Sequence, residues 1–132
     1  PAILSVDLES LFGPGSTPFA GKPKEIMLAF GADTGIRDLA AIDGTTLMVL
    51  TGPTEEQSVP YVLHAVDVAT ERVTGLARLA PVTVARNGTT EAGKAEAIAV
   101  LGVERGTATV LVLYDNIDGG GPRLHEIRLS GP

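Results

Sequence analysis

Ile3-Leu4-Ser5-Val6-Asp7-Leu8 aligns with Leu63-His64-Ala65-Val66-Asp67-Val68, and both align with Leu124-His125-Glu126-Ile127-Arg128-Leu129. The offsets are 60 and 61 residues. Between these stretches, Ile36-Arg37-Asp38-Leu39-Ala40 matches Ala95-Glu96-Ala97-Ile98-Ala99 at an offset of 59. Each is followed by a strongly apolar run, Leu47-Met48-Val49-Leu50 in the first case and Val110-Leu111-Val112-Leu113 in the second. Self-similarity at a fixed period of this kind points to a repeat architecture.

The apolar runs are short and rich in Val, Ile, Leu and Thr, and 16 Gly and nine Pro interrupt them. Helix is poorly supported by such a pattern, and nine segments read as strands: 2–8, 25–30, 36–42, 45–51, 61–68, 72–79, 95–101, 108–114 and 123–129. Asp43-Gly44, Gly52-Pro53 and Gly119-Gly120-Gly121-Pro122 supply turn chemistry between them. Four short strands per repeat is the pattern of a β-propeller blade, although common blades repeat every roughly 40 to 50 residues. The excess falls in two expected loops, 13–24 and 80–94. The expected fold is therefore all-β: a single segment of an incomplete β-propeller with about two four-stranded antiparallel blades. It divides into a partial blade at 1–30, a blade at 35–79 and a partial blade at 94–129. A propeller closes with roughly 4 to 8 blades, so the remainder of a longer chain or another copy is expected to complete it. The residual alternative is a compact sandwich or small barrel.

The 132 residues, 44% of them hydrophobic, suffice for one domain with a core. Sixteen acidic residues against 10 Lys plus Arg give a net charge of −6. A field of that sign repels nucleic-acid backbones and anionic membrane surfaces, and the basic residues form no cluster. The chain lacks cysteine, so it makes no disulfides and leaves the redox compartment undetermined. No run of 18 apolar residues occurs, so a soluble protein without membrane insertion is expected, in the cytoplasm or exported. Asn87-Gly88-Thr89 fits a glycosylation sequon but reads first as a turn.

Charges at the start of the two matching strands are the most distinctive chemical feature. Glu96 precedes a small-apolar strand, and Arg37 and Asp38 occupy the equivalent place. In a propeller they would converge at one channel mouth, either as an ion pair between Arg37 and Glu96 or as ligands for a cation. Asp115-Asn116-Ile117-Asp118-Gly119 gathers oxygen ligands like part of a calcium loop, but lacks the closing Glu of the 12-residue motif and reads as a turn. Candidate metal ligands are thus Glu96, Asp38 and Asp115, with no resident cofactor expected otherwise. The two histidines, His64 and His125, hold equivalent strand positions and read as strand residues rather than a zinc pair. No serine sits in a Gly-x-Ser-x-Gly elbow, and Gly13-Pro14-Gly15-Ser16-Thr17 lacks the Lys and helix of a phosphate loop. Glu55-Glu56 lies in an expected loop without the opposed geometry of a glycosidase pair.

Gly35-Ile36-Arg37-Asp38-Leu39-Ala40, Thr51-Gly52-Pro53, Lys94-Ala95-Glu96-Ala97-Ile98-Ala99-Val100 and Val110-Leu111-Val112-Leu113-Tyr114-Asp115 together resemble the carboxy-terminal part of domain of unknown function 3616, an uncharacterised, mainly bacterial family. The resemblance runs from Gly35 to Leu129 and implies a β-propeller with members longer than this chain. Similar strands occur in propellers resembling phytase-like esterases and calcium-dependent lactone hydrolases, where acidic residues at a channel mouth hold the metal. Only Glu96 keeps that carboxylate here, since Arg37 takes the equivalent place and Ala97 replaces the usual Gly. The expected function is a non-catalytic scaffold or binding segment. The alternative is a divalent-cation-dependent hydrolase of esterase, lactonase or phosphoesterase type, with Ca²⁺ as its metal.

Overall fold

The computed structural model describes residues 1–15, 23–55, 58–86 and 89–130, and these form eleven strands. They are β1 (Ala2–Ser5), β2 (Lys24–Met27), β3 (Thr34–Ala41), β4 (Thr46–Pro53), β5 (Val62–Asp67), β6 (Arg72–Arg78), β7 (Thr83–Arg86), β8 (Thr89–Ala92), β9 (Lys94–Glu104), β10 (Thr107–Asp115) and β11 (Arg123–Arg128). One short helix, Leu8–Phe12, and a 3-10 turn, Asp118–Gly120, are the only helical pieces among the described residues. The expectations for the Asn87-Gly88 turn, for Ser16-Thr17 and most of the loop they open, and for Glu56 lie outside the described residues.

The strands build four separate antiparallel sheets: β1-β2, β3-β4-β5-β6, β7-β8 and β11-β10-β9. Strand β4 explains how three of these stack. Successive side chains of a strand point to opposite faces, and from Met48 onward every residue of β4 is buried. Met48 and Leu50 enter one core with Leu63 of β5, Ala95 and Ile98 of β9, Val110 and Val112 of β10 and Ile127 of β11. Val49 enters a second core with Val66, Ile3, Ile26 and Leu28. The four-stranded sheet is thus the middle layer, covered by the β9–β11 sheet on one face and by the β1–β2 hairpin on the other.

This architecture corrects the incomplete β-propeller. The sheets contain two, four, two and three strands rather than about two four-stranded blades, and none closes or curls. The repeat behind that expectation fails with it, because the three aligned stretches enter sheets of two, four and three strands. Val6 lies beyond the end of β1 and is 39% exposed, Val66 is fully buried in the smaller core, and Ile127 belongs to the larger one. The three aligned stretches resemble one another because alternating apolar strands look alike, whatever sheet they enter. Two further details differ. The expected 80–94 loop contains the β7–β8 hairpin. Gly52-Pro53 is not a turn but the buried end of β4, where Gly is required because a Cβ would stand 2.5 Å from the Tyr61 ring.

Candidate functional site

The charges singled out in the sequence meet where β3 crosses the start of β9. Local backbone irregularities aim them. In β3 the pairing with β4 shifts between Ile36 and Asp38, leaving Arg37 as the extra residue. In β9 the pairing with β10 shifts between Ala97 and Ala95, leaving Glu96 as the extra residue. Bulges of this kind re-aim a side chain out of the regular alternation. The two bulged residues face each other across the sheets, with Arg37 Nη1 3.3 Å from Glu96 Oε1. Arg37 Nη2 also donates a 2.7 Å hydrogen bond to the Pro53 carbonyl at the end of β4.

Asp38 makes a second link between the same sheets. Its Oδ2 accepts a 2.7 Å hydrogen bond from the backbone amide of Ile98 in β9. Tyr61 lies against this cluster; burial raises its pKa, the Arg37 charge lowers it and the Glu96 charge raises it. Tyr114, almost fully buried in the larger core, has its pKa raised by burial, lowered by Arg123 and raised by Tyr61. Its hydroxyl, like Arg37 Nε, is a buried polar atom without a protein partner.

Asp115 stands at the end of β10, paired in register with Lys94. The three carboxylates proposed as ligands are therefore strung along β9, at Lys94, Glu96 and Ile98, over about 13 Å at the usual strand rise. Ca²⁺ holds its oxygen ligands at about 2.3–2.6 Å, around one point. The structure brings Asp38 and Glu96 to the same inter-sheet seam but does not gather them with Asp115. Among the described residues no group of three or more His, Asp or Glu side chains is placed to hold a metal ion. The segment after Asp115 turns through Asn116 at φ 64° and the 3-10 turn, as its composition suggested.

His64 and His125 sit on β5 and β11, in different sheets. His64 is the better placed for chemistry, and its neighbours were not legible beforehand. Its Nε2 lies 3.1 Å from Thr51 Oγ1, and its ring meets that of Phe30 at a centroid distance of 4.8 Å. Its Nδ1 is buried without a partner, and burial lowers its pKa. Ile3, Leu4, Val6, Lys24, Leu39 and Val68 border an open apolar groove of about 550 Å³ beside the β1–β2 hairpin. Lys24 at its rim is already engaged by the Val68 carbonyl at 2.7 Å and by Glu71 at 3.7 Å.

No helix among the described residues is long and apolar enough to cross a membrane. Residues 21–126 match the family model described as Protein of unknown function (DUF3616). No curated protein and no solved structure matches the chain.

Proposed function

We propose a non-catalytic scaffold role for this chain, which belongs to the family Protein of unknown function (DUF3616). The observation that carries this reading is the use made of its most distinctive charges. Glu96 is taken up by Arg37, Arg37 by Glu96 and the Pro53 carbonyl, and Asp38 by the Ile98 amide. Groups so engaged fasten one sheet to the next. The contact partner of such a segment is further polypeptide, from the remainder of a longer chain or from another copy. Support for a protein partner comes from the outer face of the β9–β11 sheet, where Leu113 is 38% and Leu124 64% exposed.

The competing reading is a hydrolase using a divalent cation such as Ca²⁺ at Glu96, Asp38 and Asp115. A cation there would meet the Arg37 guanidinium 3.3 Å from Glu96 and would compete with the Ile98 amide for Asp38. Turnover of ester, lactone and phosphoester substrates separates the two readings. The scaffold reading expects none; activity abolished by Glu96→Gln would overturn it. Calorimetric titration with Ca²⁺, Mg²⁺ and Mn²⁺ is expected to give only the heat of dilution, and a saturable heat lost in Asp38→Asn would favour the hydrolase. Mass in solution distinguishes self-association from a partner elsewhere.

A further inference from the structure

The contact between His64 and Phe30 lies between layers rather than within one. His64 belongs to β5 of the middle sheet, whereas Phe30 follows β2 and packs against the core that holds the β1–β2 hairpin to that sheet. Thr51 Oγ1 is 3.3 Å from the Val62 carbonyl, to which it donates, and it lies 3.1 Å from His64 Nε2. With its proton given to Val62, the hydroxyl accepts from Nε2–H, and the neutral ring keeps an unprotonated Nδ1 that needs no acceptor. Charging the ring places a proton on Nδ1, a buried atom with no partner. The elements around it present Thr51 from β4, Gly75 from β6 and Phe30, none of them charged. Burial lowers the ring's pKa in the same direction.

We propose that His64 is a pH-sensitive latch: its neutral ring lets the layer of β1, β2 and Phe30 close on the four-stranded sheet, and its protonated ring releases that layer. Opening admits water to Nδ1 and exposes Val49 and Val66, which the hairpin covers. The larger core lies on the opposite face of β4 and β5 and stays closed. The device is independent of the scaffold reading, since it needs only the layer order.

Hydrogen exchange on the full chain, corrected for intrinsic rates, tests it between about pH 7.5 and about pH 5, a range spanning the ordinary titration of histidine. Protection of β1 and β2 is expected to fall as pH falls, by up to about tenfold for each unit by which the closed ring's pKa is displaced. Protection of β10 is expected to hold. In His64→Leu the fall is expected to vanish. Equal loss in the hairpin and β10, or a fall that persists in His64→Leu, would overturn the latch. A second measurement covers a variant that does not fold: the His64 ring resonance in the unaltered chain is followed over the same range. Charging in step with hairpin opening supports the proposal, and charging with the hairpin still protected overturns it.

Discussion

Replacing Asp38 with Ala leaves the Ile98 amide without the acceptor that now lies 2.7 Å away. Stranding a partly buried donor costs about 1–3 kcal/mol. Asp38→Asn keeps an oxygen at the same place and is expected to lose less, which urea denaturation of the two variants would show. The neighbouring Arg37–Glu96 pair is more open to water, with side chains 24% and 36% exposed, and screening reduces its worth. Glu96→Gln should therefore cost no more than about 1 kcal/mol. A larger loss at Glu96 than at Asp38 would reverse the assignment of which contact fastens the sheets. Gly52 sets a steric test on the same seam. Gly52→Ala drives a methyl into the Tyr61 ring, displacing an aromatic side chain that packs against the larger core, and should destabilise by about 1–3 kcal/mol.

Turns obey a simpler electrostatic logic. Asp43, between β3 and β4, accepts from the amides of Thr45 and Thr46 through Oδ1, each at 2.8 Å. Those hydrogen bonds, led by the Thr45 amide, hold its pKa below the ordinary value, and Asp67 is lowered in the same way by Thr70 and Ala69 after β5. A carboxyl with a lowered folded pKa stabilises above its unfolded value of about 3.9, and that contribution disappears as pH falls through the folded value. Asp43→Ala is expected to remove part of the acid sensitivity below about pH 4, and to raise the exchange rate of the Thr46 amide at neutral pH. Unchanged acid unfolding would refute this. At this scale most of the strands were legible, though not the sheets they build: Leu47 to Thr51 and Val110 to Tyr114 are dense in strand formers, and their flanking Asp, Asn and Gly residues mark the turns. The β7–β8 hairpin was not legible, because Thr-Val-Ala-Arg and Thr-Thr-Glu-Ala carry little apolar signal. Pairing of Arg37 with Glu96 could be read from their equivalent positions. The bulges that aim them, and the Asp38 bond to Ile98, arise only once two sheets stack.

Layer order decides how damage spreads through the whole molecule. Similarity between distant strands carried no information about which sheet each enters, and for that reason the repeat misled while the strands did not. The four-stranded sheet has a core on each face, and these cores differ in what they hold: one seats the β9–β11 sheet, the other only the β1–β2 hairpin. Ile26 and Leu63 are both fully buried, one in each core. Truncating either to Ala should cost about 2–5 kcal/mol in local packing. The consequences should nonetheless differ. Ile26→Ala weakens a layer of two four-residue strands, so β1 and β2 should lose hydrogen-exchange protection while β10 retains it. Leu63→Ala opens a cavity in the core to which β4, β5, β9, β10 and β11 all contribute buried residues, so protection should fall across both larger sheets together. If Ile26→Ala lowered protection in β10 as much as in β1, the hairpin would be part of one cooperative unit with the rest, and the layers would not open separately.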